Sequence, residues 1–316
     1  MTTGTRVGAS TNEVRLAMIA ETAWGTTPTT PTFDTVRLTS ESLQPNKETV
    51  DSSEIRSDRN LAETMMVGQG AEGSIDFEWS YGTFDDLLAA ALFSNWSNDE
   101  LVNGVTPTSF TLERTTPVGG GNSYDRFLGM IPNTLSLSVT ARQIVTGSAA
   151  FIGRQMEVDS SIIGSATYND ATQARIMTAA TSVGLLSVGG LSPTPRIRSL
   201  TLEINNNLRT QDEIGNLYNA GVAPGDFLVS GSLEAYFTSG SLAQAYLDHD
   251  DVSLEFTLGE DSGSRYRFLV PTVKLTGDLG KNASGKDADV VLSLSWQANL
   301  DRTSPGIGGT LLVERG

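Results

Sequence analysis

The sequence predicts a mainly β protein: two tandem β-sandwich or open-barrel modules, each flanked by one short α-helix. Three observations predict it. Ile75, Phe77 and Trp79 alternate with Ser74, Asp76, Glu78 and Ser80, the period of a strand with one buried and one wet face. After Gly82 the period changes: Phe84, Leu87, Leu88, Ala91 and Leu92 fall at helical spacing, so Gly73 to Leu92 reads as strand, tight turn and short helix. The same plan recurs in Gly231 to Leu247, where Gly231, Leu233, Phe237 and Gly240 stand where Gly73, Ile75, Trp79 and Gly82 stand. Thr83 with Asp86, and Ser241 with Gln244, have the spacing of a helix-capping pair.

In chain order, residues 1–32 are polar and end in Thr-Pro repeats that favour extended backbone. Val14, Leu16, Met18 and Ala20 alternate before them, so this segment is expected to be an arm with one adhesive strand that orders on a partner. Residues 33–155 form the first module. Within it, Asn46 to Gly70 reads as a long polar loop, of a length that is usually functional in a compact domain. Leu135, Leu137 and Val139 then mark a strand with Ser136, Ser138 and Thr140 on its other face.

Residues 156–195, rich in Ser, Ala, Gly and Thr, read as an insert or linker. Residues 196–316 form the second module with a C-terminal tail. Leu200, Leu202 and Ile204 alternate with Thr201 and Glu203, and Asn205 to Ala223 is a polar loop in the matching place. Val252, Leu254, Phe256 and Leu258 mark another strand, as do Val290, Leu292, Leu294 and Trp296. Arg126-Phe127-Leu128 recurs as Arg267-Phe268-Leu269. Strands of this kind leave sheet edges that must be covered or completed by neighbours.

Composition narrows the function. The 316 residues contain no cysteine, which removes disulfide and thiolate chemistry. The N-terminus lacks the apolar core of a secretory signal, and no apolar run reaches membrane-spanning length, so a soluble protein of a cytoplasm, or one released by lysis, is expected. A net charge of −16 without basic stripes argues against holding nucleic acid. Gly280 to Lys286 has the glycine and lysine spacing of a phosphate loop, but Asp287 stands where Ser or Thr should bind magnesium, and the segment reads as a hairpin. Asp248, His249, Asp250 and Asp251 are adjacent residues of a loop, poorly suited to converge on one ion. Trp79, Trp296, Phe77 and Phe237 read as core. No catalytic, cofactor or metal site is expected.

The N-terminal segment with Trp24-Gly25-Thr26-Thr27-Pro28, the turn Tyr81-Gly82-Thr83-Phe84-Asp85 and the later Ile131-Pro132-Asn133-Thr134 resemble the tail tube (major tail) proteins of long-tailed bacteriophages. The resemblance implies β-sandwich modules that join side by side into rings, and rings that stack into a tube conducting DNA from capsid to host. It implies a virion protein assembled in the bacterial cytoplasm, with itself, a tape measure protein, a tail terminator and distal tail proteins as partners. That family usually has one module per chain and six chains per ring. Two modules per chain make three chains per ring the expectation, with approximate six-fold symmetry. Lys47, Glu48, Asp51, Glu54, Arg56 and Asp58, with the matching Leu208 to Gly215, are then candidates for contacts between rings. Asp76, Glu78, Glu234 and Glu255 are candidates for an acidic lumen that repels phosphate. A β-sandwich adhesin or glycan-binding module, and a hydrolase with a carboxylate pair, are the alternatives from other classes.

Overall fold

A computed structural model describes residues 8–259, 263–281, 285–303 and 306–316. The chain is mainly β, and its large sheets do not close into a barrel. The first strands are β1 (Arg15–Ala20), β2 (Thr32–Thr35), β3 (Ser40–Glu41), β4 (Gln44–Asp51) and β5 (Thr64–Glu78), followed by helix α1 (Asp85–Ala91). Then come β6 (Glu100–Val102), β7 (Phe110–Val118), β8 (Gly121–Thr140), β9 (Thr146–Gly153), β10 (Gln155–Asp159), β11 (Thr167–Asn169) and β12 (Val183–Gly189). The rest of the chain gives β13 (Arg196–Asn205), β14 (Arg209–Gln211), β15 (Gly221–Ala223), β16 (Leu228–Tyr236), α2 (Ser241–Asp248), β17 (Val252–Leu258), β18 (Tyr266–Lys281), β19 (Val291–Ala298) and β20 (Leu312–Arg315).

One antiparallel sheet runs β4–β5–β9–β8–β13–β16–β19–β18 through the molecule. Its first four strands and its last four follow one connectivity: an opening strand, the strand that leads into the helix, then the last and the penultimate strand of the set. β8 and β18 are long because each pairs with different strands along its first and second parts. Residues at the start of β8 pair with β7 and β10, and residues at the start of β18 pair with β17 and β20. Arg126 and Arg267, which opened the repeated tripeptide, lie opposite Glu157 of β10 and Glu314 of β20, so the short strands β10 and β20 also match.

Alternation makes the strands. On β5, Ile75 and Phe77 are buried and Ser74, Asp76 and Glu78 half-exposed; β13, β16 and β19 repeat the pattern with Leu200, Leu202, Leu233, Leu292, Leu294 and Trp296. Phe77 stacks on Phe84, Trp79 meets both edge-on, and Trp79 also meets Tyr266. One continuous hydrophobic cluster therefore joins both halves.

Several expectations need correction. Within the described residues, the N-terminal segment packs on its own chain: β1 lies between β2 and β7 and buries Leu16 and Ala17. Glu21 locks the segment in place: its carboxylate accepts hydrogen bonds from the amides of Gly25 and Gly129 and from Ser109 and Thr111. Residues 156–195 are woven in: β10 pairs with β8, β11 with β2 and β12 with β17.

Neither capping pair caps. Thr83 sits one residue too early, since Phe84 is the N-cap, and its hydroxyl bonds Ser80 and Thr172 instead. Ser241 already begins α2, so Gln244 reaches forward to Asp248. The polar loop at Asn46 to Gly70 is largely a hairpin of β4 and β5 that runs on beyond the sheet, exposed on both faces. The matching loop at Asn205 to Ala223 holds a smaller hairpin, β14–β15. Gly280 to Lys286 lies between the antiparallel strands β18 and β19, with 282–284 outside the described residues.

Candidate functional site

The face of the through-sheet opposite the core is the first candidate surface. Its cross-strand rows pass without a break from one half to the other. One row runs Asp76, Ser148, Ser136, Glu203, Ser230, Gln297, Lys274; the next runs Glu78, Thr146, Ser138, Thr201, Ser232, Ser295, Thr276. Hydroxyl side chains dominate, with carboxylates set among them. Three sequence-predicted acids, Asp76, Glu78 and Glu234, lie on this face. Asp76 accepts a hydrogen bond from Ser40 at 2.6 Å, and Glu234 pairs with Arg198 at 3.3 Å.

Glu255 does not join them. It stands on β17, which pairs with β12 and the first part of β18 outside the eight-strand run, and there it binds Arg267 at 2.6 Å; Arg267 in turn holds Glu314. Those two carboxylates raise the basicity of Arg267. The face has a further acid, Glu203, which sequence reasoning left out. Its alternation with Leu202 and Ile204 was signal enough to find it.

The edges of the through-sheet are the second candidate surface. Inside the chain, β8 meets β13 along seven residue pairs, from Thr140↔Ser199 to Thr134↔Asn205. Asn206 anchors this seam from within: 2% exposed, it donates to the carbonyls of Ala91 and Pro132 at 3.0 Å each. The halves also meet through β20, which pairs with β18 on one edge and with β6 on the other. Tyr266 donates to Asp85 across the halves, and Arg315 holds Asp85 at 2.7 Å and Asp99 at 3.0 Å. At the two ends of the sheet no such seam exists. Among the described residues, β3 and β4 pair only with β5, and the Lys274–Lys281 part of β18 pairs only with β19.

The third candidate is the β4–β5 hairpin. Lys47, Glu48, Asp51, Glu54, Arg56 and Asp58 are all exposed on it. Arg56 grips Asp58 in a two-point contact, 2.8 Å at the closer nitrogen, which lowers the Asp58 carboxyl to about 2. Val50, Ile55, Leu61, Met65 and Val67 are exposed on the same hairpin. Its base is held by the second half, where the Gln69 amide donates to the carbonyl of Leu217.

Among the described residues no group of His, Asp and Glu could hold a metal ion, and no helix is long and apolar enough to cross a membrane. The chain matches no curated protein. A family model described as phage tail tube protein matches residues 11–298, nearly the whole of the two halves. The chain belongs to the phage tail tube proteins, a structural and non-enzymatic family whose members assemble with one another and with other tail components in the virion tail.

Proposed function

We propose that the chain is a doubled tube unit, and that three copies close into a ring with approximate six-fold symmetry. The observation that carries this reading is the pairing of β8 with β13. There the penultimate strand of one four-strand set meets the opening strand of the next. The other penultimate strand, β18, and the other opening strand, β4 with the short β3 beside it, are left open in the same sense. A head-to-tail contact that repeats closes into a ring when its rotation divides a full turn, and closure removes the exposed edges.

In such a ring the hydroxyl-rich face carrying Asp76, Glu78, Glu203 and Glu234 lines the lumen. Carboxylates there repel phosphate, and a wall with little cationic surface lets DNA pass to the host without being held. Rings stack through the β4–β5 hairpin, with Lys47, Glu48, Asp51, Glu54, Arg56 and Asp58 and the smaller β14–β15 hairpin at the contact. Assembly takes place in the host cytoplasm, and tape measure, terminator and distal tail proteins meet the tube at its bore and ends.

End-on electron micrographs of tubes grown from purified protein test the reading. It predicts three chains per ring with a six-fold outline. Six chains per ring, or particles without a bore, overturn it. Deleting Lys47 to Asp58 should leave soluble protein that no longer polymerises, because both strands of the hairpin project beyond the core. Normal tubes from that deletion would remove the hairpin from the contact.

A further inference from the structure

The two open edges of the through-sheet both depart from the internal seam at one register position. At the seam, the Asn206 amide donates to the Asn133 carbonyl and the Ala141 amide to the Arg198 carbonyl. Antiparallel ladders alternate, so every second pair between these two bonds across the seam, and Leu135 with Ile204 is one of them. Each of those residues turns its N–H and its C=O toward the other.

The match between the halves carries this pair to the open edges. Ile204 faces Val229 and Pro45 faces Ala71, partners that each precede the matching glycine by two residues, so Pro45 stands where Ile204 stands. Ser42 gives its amide to the Ser74 carbonyl on β5. Three residues on, the nitrogen of Pro45 therefore points away from β5, to the open side. Proline has no N–H, so the donor that Ile204 offers at the seam is missing here.

β18 differs at the facing position. Between Thr134 and Ser136, β8 has the single residue Leu135 opposite Ala149. Between Thr276 and Gly280, β18 has Gly277, Asp278 and Leu279 opposite Leu294. Leu279 packs against the core, as Leu135 does, and Gly277 and Asp278 are the exposed additional residues. Gly277 takes a φ of +75°, the left-handed conformation of a bulge. Its carbonyl accepts a hydrogen bond from the Tyr246 hydroxyl of α2 at 2.7 Å. Where Leu135 offers an acceptor at the seam, β18 has turned its carbonyl to the helix.

We propose that Pro45 and the bulge at residues 277–279 are the two parts of a register key for a second copy of this chain. β4 of one copy pairs with β18 of the next so that Pro45 sits against the bulge, and the missing donor meets the withdrawn acceptor. A slip of two residues sets Pro45 against a regular stretch of β18 and leaves a ladder carbonyl without its donor. The proposal rests on the ring reading and adds the residues that fix how the edges align.

The test counts three-chain rings formed by full-length variants. Deleting Gly277 and Asp278 gives β18 the course of β8 and sets Leu279 against Pro45. Ring yield should then fall about tenfold or more, the scale of one buried ladder group left unpaired. Pro45→Ile, on an exposed strand, places a donor against the withdrawn acceptor, and ring yield should fall about threefold or more. The deletion combined with Pro45→Ile rebuilds the Leu–Ile pair of the seam, and rings should return to within about twofold of wild type. Undiminished yield from Pro45→Ile overturns the proposal, as does a combined variant that assembles no better than the deletion alone. Circular dichroism identifies a deletion chain that misfolds, in which case Pro45→Ile alone decides. Wild-type protein that makes no three-chain ring is a separate result, which removes the ring reading and this key with it.

Discussion

The β8–β13 seam and the open edges of β3, β4 and β18 are made of the same kind of strand, yet only the first is finished within the chain. At the seam, the backbone ladder is reinforced by Asn206, and elsewhere the β6–β20 pairing and the Tyr266–Asp85–Arg315 network also join the two halves. At the open edges only the ladder groups and the polar face are present. The first half also carries more than the second: eighteen residues, 92–109, separate α1 from β7, whereas three, 249–251, separate α2 from β17. The ladder is therefore common to both halves, whereas these additional contacts occur only between the halves of one chain.

The comparison can be broken hardest at the glycines that let strands cross closely. A Cβ at Gly231 would stand 2.0 Å from the Thr201 carbonyl and 2.7 Å from Trp296; one at Gly73, whose φ is +140°, would stand 2.6 Å from the Ser42 carbonyl. Gly231→Val and Gly73→Val should each cost about 3 kcal/mol or more in chemical denaturation. Gly82, with φ +72° and open space around it, should lose only about 1 kcal/mol on replacement by Ala. Equal effects at Gly73 and Gly82 would refute a role for close packing.

A middle-sized effect separates seam from edge. Asn205 faces Leu228 and Asn46 faces Gly70, each three residues before the matching glycine, so Lys47 stands where Asn206 stands. Asn206→Ala leaves two buried carbonyls without their donor and should cost about 2 kcal/mol. Lys47→Ala should change the stability of the isolated chain by less than about 0.5 kcal/mol.

Tyr266→Phe should cost about 1 kcal/mol through loss of its bond to Asp85. This change also has a pH signature. Burial, then the Asp85 charge, push the Tyr266 phenol above its ordinary value, so the folded chain keeps a proton that the unfolded chain releases. Its contribution is complete below about pH 10 and is lost as pH rises beyond, and the phenylalanine variant should show a shallower alkaline decline. The smallest effect belongs to Arg198→Ala. Its pair with Glu234 is half-exposed, and the loss should stay within about 0.5 kcal/mol.

The alternating strands were legible because one face of each is buried: Ile75 and Phe77, Leu135 and Leu137, Leu200 and Leu202, Leu254 and Phe256, Leu294 and Trp296 all show it. The β4–β5 hairpin was not, because a ribbon exposed on both faces has no hydrophobic period to read. β10, β11 and β12 were hidden for another reason. β10 and β11 are short, and the partners of the three, β8, β2 and β17, lie up to 135 residues away in the chain. Of the polar face, Asp76, Glu78 and Glu234 could be picked out from alternation next to large apolar residues. Glu255 alternates equally well, and only the place of β17 outside the eight-strand run separates it from them. Alternation tells which side of a strand is wet; it does not tell which sheet the strand belongs to.

The account rests on the open edges being completed by the next copy, and one cross-link tests this directly. Thr276 stands to Ser295 and Trp296 as Thr134 stands to Ala150 and Phe151, and Asn46 matches Asn205, the internal partner of Thr134. The chain has no cysteine, so Asn46→Cys with Thr276→Cys provides a single clean pair. Oxidation of assembled protein should yield covalent dimers and a closed trimer as the largest species, absent from either single variant. A ladder that continues to six chains, or monomers alone, would contradict the account.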